Sequence, residues 1–197
     1  MSGLAKSVFE LYQVDLTGAW TNEARATLME ACEDLFGAWA VRQENIRWLR
    51  GMPIIAEPIR QLGLTCAQWI KFNPAVLSKW TVVHEFGHAW DFASGLRNSS
   101  RMQHFTHSWG PLPLLHQWRP ADERFWYHPG SLPPPCGKDR NFNRLEDFAE
   151  AVAAYVYPEE AKKRADERGM GYELYGYESF YATPRGRFIH ELIHTGR

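Results

Sequence analysis

Apolar positions recur at helical spacing in several stretches, separated by segments rich in proline and glycine. Leu28, Cys32, Leu35 and Trp39 predict a helix opening at Thr21-Asn22 and running to about Arg42. A second helix is predicted between Asn73-Pro74 and Gly95, with Asn73 as N-cap, Pro74 at the first helical position and Gly95 as the stop. Along it Val76, Trp80, Val83, Gly87 and Trp90 form one stripe. Leu77, Thr81, His84, His88 and Asp91 form a neighbouring one. A third helix starts at Asn143, with Leu145, Phe148, Ala149, Val152 and Val156 as its apolar stripe and Pro158 at its end. Residues 159–168 read as a charged, exposed helix stopped by Gly169. Pro184 opens a last helix that buries Phe188, Ile189, Leu192 and Ile193.

Strand signals are weaker. Leu64 to Phe72 reads as one strand: Leu64, Cys66, Ile70 and Phe72 share a parity that Gln68 breaks. Such a strand could edge a cleft and take an extended peptide by strand addition, or be an ordinary core strand. Residues 1–20 read as a short strand or irregular arm. Gly51, Pro53 and Pro58 allow only short strands over 46–59. Residues 96–142 have little periodicity and read as one long proline-rich loop carrying His104, His107, His116 and His128, any one of which could be a ligand or a transition-state donor but is first of all an ordinary surface or capping histidine. The tyrosine-rich stretch 172–181 reads as irregular. The sum is one α+β domain over 1–197: sheet and central helix in 1–95, the loop in 96–142, a mostly helical half in 143–197.

Composition narrows the partners. A net charge of −1 gives no electrostatic footprint for nucleic acid or an anionic membrane. Cys32, Cys66 and Cys136 are odd in number and widely spaced, so they form neither a disulfide framework nor a zinc pattern, and they favour a reducing compartment. The N-terminal residues lack the apolar core of a secretory signal, and no apolar run has membrane-spanning length. The default expectation is a cytoplasmic monomer. Nine tryptophans suit a core and an aromatic-walled cleft.

The chemistry lies in His84-Glu85-x-x-His88. Two histidines four apart share a helix face, neutral imidazole ligates zinc, and the glutamate between them can take a proton from a water at the ion. A catalytic zinc needs a third protein ligand. The metzincin spacing would require histidine at position 94 and glycine at 91; the chain has Ser94 and Asp91. The other arrangement takes a carboxylate from a separate helix, and Glu146 and Glu150 stand four apart on the third one. One can bind the ion while the other hydrogen-bonds a ligand histidine. Glu146 could equally complete a capping box with Asn143, and Glu150 could simply be solvated.

His84-Glu85-Phe86-Gly87-His88-Ala89, with Asp91, Ala93 and Gly95, resembles the zinc helix of the anthrax lethal factor-like metallopeptidases. Glu146-x-Phe148-Ala149-Glu150-Ala151 resembles their second helix. Thr183-Pro184-Arg185-Gly186-Arg187-Phe188-Ile189 resembles the start of their closing helix. This gluzincin family includes toxin subunits and secreted Pro-Pro endopeptidases, and the resemblance spans roughly residues 65–193. It implies a zincin-like fold and one catalytic zinc on His84, His88 and Glu146. It also implies Glu85 as general base, Glu150 behind the ligands, and a peptide or protein substrate cut by metalloendopeptidase chemistry. The family's oxyanion tyrosine lies seven residues before the glutamate ligand; that position here is Asp139, with Tyr127, Tyr155, Tyr157 and His128 as possible substitutes. The alternatives are a cytoplasmic repressor-cleaving metallopeptidase and a non-catalytic zincin-fold peptide-binding protein.

Overall fold

The computed structural model of the chain describes residues 3–39, 43–106, 109–110, 119–120, 126–127, 143–169 and 171–195. It opens with a helix, α1 (Gly3–Tyr12), where an arm or strand was expected. Ala5, Val8, Phe9 and Tyr12 are buried at helical spacing. The N-terminal N–H of Ala5 is satisfied from a distance, by Glu33 Oε1 at 2.7 Å. A ten-residue helix held by packing and a non-local cap carries little local signal. Strand β1 (Asp15–Gly18) and helix α2 (Asn22–Ala38) follow. Thr21 Oγ1 caps α2 by accepting from Ala24 N. Leu28, Cys32, Leu35 and Trp39 are buried along it.

After a 3₁₀ turn at Gln43–Leu49 come β2 (Pro53–Ala56), β3 (Gly63–Cys66) and β4 (Trp69–Phe72). The single strand expected over 64–72 is thus a hairpin. Cys66 pairs with Trp69 and Leu64 with Lys71, so the broken parity at Gln68 marks the turn. The sheet order is β1-β2-β4-β3, parallel except for β3. That leaves β3 as an edge strand beside the next helix.

That helix, α3 (Lys79–Ala93), starts later than expected. Asn73 does act as a cap, but of a turn: Oδ1 accepts from Ala75 N and the amide donates to Ile59 O. Ser78 opens the helix by accepting from Thr81 N at 3.1 Å. Val76 and Leu77 therefore precede the helix. Gly95, at φ 69°, follows its end as expected.

The proline-rich segment also begins as a helix, α4 (Arg97–Thr106). Its cap comes from α3 rather than from its own periodicity. Ser94 Oγ accepts from Arg97 N and Asn98 N, and Asp91 Oδ1 from Ser99 N. Three two-residue strands, β5 (Trp109–Gly110), β6 (Arg119–Pro120) and β7 (Trp126–Tyr127), form a small antiparallel sheet. The rest of 107–142 lies outside the described residues, with His107, His116, His128, Cys136 and Asp139 among them.

Helix α5 (Arg144–Val156) is capped by Asn143, whose Oδ1 accepts from Leu145 N. Pro158 opens α6 (Pro158–Glu167), and Gly169 follows it at φ 67°. Two 3₁₀ turns, Tyr172–Tyr175 and Phe180–Ala182, occupy the tyrosine-rich stretch before α7 (Pro184–Thr195).

One apolar cluster joins the sheet to both halves. Ile54, Ile70 and Phe72 meet Leu28 and Leu35, then Val83 and Phe86, then Phe148, Val152 and Ile189. Trp39 and Trp90 belong to this core and Trp48 packs against it. Trp39 meets Trp90 at a tilt, with centroids 4.6 Å apart, and Trp48 meets Phe86 edge-on at 5.5 Å. Among the described residues no helix is long and apolar enough to cross a membrane.

A buried ion pair ties α5 to α7. Arg185 Nε donates to Asp147 Oδ1 at 2.7 Å and Nη2 to Oδ2 at 3.0 Å, with both side chains no more than 3% exposed. Such a pair adds little over a packed apolar pair, but removing one partner strands a buried charge. Arg185→Met is expected to lower unfolding free energy by about 3–5 kcal/mol, read by denaturant titration. Asp147→Asn with Arg185→Met should recover much of that loss.

Candidate metal centre

One turn of α3 separates His84 from His88, and their rings meet edge-on with centroids 4.7 Å apart. The two Nε2 atoms are 3.1 Å apart. From the first turn of α5, Glu146 Oε2 reaches within 3.1 Å of His84 Nε2 and 3.3 Å of His88 Nε2. Three ligand atoms thus form a nearly equilateral triangle. A tetrahedral ion with bonds of about 2.0–2.1 Å needs ligand atoms roughly 3.3 Å apart, which this triangle nearly matches. Among the described residues it is the one group of three or more His, Cys, Asp or Glu whose ligand atoms cluster this closely.

Glycine and alanine bring Glu146 there. A Cβ on Gly87 would sit 3.0 Å from Ala149 Cα and 3.3 Å from Val152 Cβ, so α3 and α5 touch almost backbone to backbone. Gly87 precedes His88, and Ala149 lies one turn after Glu146. The contact therefore sets the distance between imidazoles and carboxylate. On its other side, Asp147 is held by Arg185.

Glu150, one turn further along α5, faces the opposite edge of His84. Its Oε1 is 3.3 Å from His84 Nδ1 and accepts from Trp80 Nε1 at 3.5 Å. The contact with Nδ1 has an ion pair's length but misses hydrogen-bond angle, leaving that buried nitrogen without a hydrogen-bond partner among the described residues. A small rotation of either side chain would complete it.

The cluster draws positive charge. Burial pushes the His84 imidazole down, but its hydrogen bond to Glu146, its close contact with Glu150 and the charges of Glu150 and Glu85 outweigh it, raising its pKa to about 10. Burial pushes the Glu146 carboxyl up, yet hydrogen bonds and charge from His84 and His88 hold it well below the carboxylate range. Glu150 is likewise lowered against its burial, chiefly by its close contact with His84, with the Trp80 hydrogen bond and the Arg164 charge adding to it. Without a metal, a proton serves as the cation that these carboxylates demand; a divalent ion can replace it.

Glu85 leaves α3 on the sheet side and is 7% exposed. Thr65 Oγ1 on β3 donates to its Oε2 at 2.6 Å. A Cβ on Gly63, also on β3, would fall 2.6 Å from Glu85 Cγ and 2.7 Å from Oε1. Gly63 thus makes room for the carboxylate and Thr65 aims it. Sequence reasoning missed both roles. Their one signal was a glycine and a threonine of the same strand parity, which has meaning only once β3 lies beside α3.

Glu85 and the three clustered side chains line one open cleft of about 660 Å³. Its aromatic lining among the described residues is Trp80 and Phe92, not the tryptophan-rich wall expected; most of the other described tryptophans lie in or against the core. The proposed tyrosine substitutes also point elsewhere. Tyr155 bonds His190 Nδ1 at 2.9 Å, and Tyr157 donates to Asp34 Oδ2 at 3.1 Å. They lie roughly 13 and 16 Å along α5 from Glu146 at 1.5 Å per residue, and neither lines the cleft. Of Tyr127 only the backbone is described, and Asp139 and His128 lie outside the described residues.

The same spacing occurs a second time, unnoticed in the sequence reading, as His190-Glu191-x-x-His194 on α7. Those three residues are exposed, and no third ligand joins them among the described residues. Compared with family models, curated proteins and solved structures, the chain matches none.

The charge balance makes the metal-free protein sensitive to pH. The folded-state pKa of His84 lies above its ordinary 6.5, so its stabilisation is complete below pH 6.5 and is lost as pH rises towards about 10. Glu150 is depressed below 4.5, so its share is present above that value and is lost in acid. The denaturation midpoint of chelator-treated protein should therefore fall between pH 6.5 and 9.5. In His84→Ala the fall should be much smaller; an equal slope in both proteins would contradict the assignment.

Proposed function

We propose that the protein is a zinc-dependent metalloendopeptidase of the gluzincin type with a zincin-like fold. The observation that carries this is the His84–His88–Glu146 triangle, set in an open cleft beside a carboxylate that no ligand position needs. Two imidazoles and one carboxylate with a fourth position free for water form a ligand set of catalytic zinc. A structural site would have no use for Glu85.

His84, His88 and Glu146 would hold the ion, and Glu150 would fix the ring orientation of His84 through Nδ1. Zinc bound there would supply Lewis-acid polarisation of the scissile carbonyl and a more acidic water. Glu85 would serve as the general base for the attacking water and return the proton to the departing amine. Thr65 and Gly63 keep its carboxylate turned towards the cleft. The outer edge of β3 has no strand partner among the described residues. Gly63, Leu64 and Thr65 border the cleft, so an extended peptide can pair with this edge and lie across Glu85.

One observation favours a second reading, a metal-holding protein that binds peptide without cutting it. No tyrosine lines the cleft among the described residues, so the usual oxyanion donor is unassigned.

Replacement of the base separates the two readings. Glu85→Gln should keep its zinc and lose about 10²–10⁴-fold in cleavage of a broad peptide library. Gly63→Ala, which forces the Glu85 carboxylate to move, should keep zinc and lose about 10²-fold. Metal-loaded wild type that binds peptides and cuts none of them would establish the second reading.

A further inference from the structure

Helix α6 buries Ala161 and Ala165 and turns Arg164 and Arg168, one turn apart, into the cleft that holds Glu85 and the metal-binding triad. Arg164 is pinned: its guanidinium lies 4.1 Å over the Trp80 ring, and Nε donates to Glu160 Oε1 at 2.9 Å. The structure shows no partner for its two η nitrogens among the described residues. Arg168 has less. Its side chain makes no hydrogen bond or ion pair with a described residue, and its Nη1 is buried. A guanidinium is charged at every accessible pH, and a buried donor without an acceptor is costly.

The acids of the cleft are already committed. Glu146 lies on the two imidazoles, Glu85 accepts from Thr65, and Glu150 faces His84 and Trp80. Arg164 lies against Trp80, Trp80 bonds Glu150 and Glu150 faces His84. Arg164, whose charge also helps to hold Glu150 ionised, thus sits two side chains from the metal ligands, and Arg168 lines the same cleft with its Nη1 unpartnered among the described residues. Planar forks with free η nitrogens match a carboxylate in two-point geometry.

We propose that Arg164 and Arg168 form a carboxylate-binding subsite in the wall of the metal cleft. It selects peptides that carry a negative charge at a fixed distance from the scissile bond. This rests on the metallopeptidase reading and names its substrate class. The carboxylate comes from an aspartate or glutamate side chain, or from the C-terminus of a short peptide.

The test compares matched peptides: glutamate against glutamine at each position flanking the cut, and free C-terminus against C-terminal amide. One matched pair should differ by about 10- to 100-fold in kcat/KM, the usual worth of a charge-assisted hydrogen bond. Which pair responds identifies the source of the carboxylate. In Arg168→Gln that ratio should fall to within about twofold, Arg168→Lys should keep part of it, and Arg168→Glu should turn the preference towards lysine. Because the readout is a ratio, a variant that merely folds less well does not mimic the effect. No charge preference in wild type, or the same preference in wild type and Arg168→Gln, overturns the subsite while leaving the peptidase reading intact. A second arm needs no turnover: zinc-chelating peptide hydroxamates carrying a carboxylate or the matching carboxamide. If no peptide is cut but the carboxylate probe binds tighter by an Arg168-dependent margin, the peptidase reading falls and the subsite stands. Equal affinities overturn the subsite.

Discussion

Everything at the centre depends on how closely α3 and α5 approach. At Gly87 a methyl group would reach the backbone of Ala149. The contact has no side chain to soften it, so the helices are held at one separation. His84 and His88 flank that point on one helix, and Glu146 lies a turn before it on the other. A somewhat wider gap would leave an imidazole pair and a distant carboxylate. The buried Asp147–Arg185 pair acts from the far side, fixing the turn of α5 that carries Glu146. Packing and chemistry share the same few residues here.

Charge explains the rest of the arrangement. Glu85, Glu146 and Glu150 converge on two imidazoles in a partly buried pocket, where like charges repel strongly. The His84 proton relieves that repulsion in the metal-free state, and a divalent ion would relieve it better. Thr65 and the space above Gly63 keep Glu85 apart from the ligands although it is adjacent to His84 in sequence. Arg164 takes part in this balance, helping to hold Glu150 ionised while it pairs with Glu160. Arg168 Nη1 has no acceptor among the described residues, which is why its charge is available for something that enters the cleft.

Much of this was legible in the chain and some was not. The caps at Thr21 and Asn143, the stop at Gly95 and the apolar stripes of α2 and α5 use neighbouring residues, so local reading finds them. The starts of α1 and α4 are satisfied by Glu33, Ser94 and Asp91 from other elements, and both helices went unread. Asn73 and Ser78 compete as caps five residues apart, and only the path of β4 decides between them. The site shows the same division. His84, His88, Glu146 and Glu150 were found because each pair sits one turn apart on a helix. Thr65, Gly63 and Arg168 reach the cleft only through tertiary contact. The second His-Glu-x-x-His, on α7, makes the point sharply: identical spacing, exposed side chains, and no partner carboxylate from another element among the described residues. The motif becomes a centre only where a second helix completes it.

The most direct test of the central claim is zinc stoichiometry and affinity, measured by competition with a chromophoric chelator in wild type, His88→Ala, Glu146→Ala and His190→Ala. The account predicts about one tightly held zinc per wild-type chain. It predicts affinity weakened at least about 100-fold in His88→Ala and Glu146→Ala, and no change in His190→Ala. Zinc retained in Glu146→Ala and lost in His190→Ala, or no zinc bound by wild type when it is supplied, would contradict it.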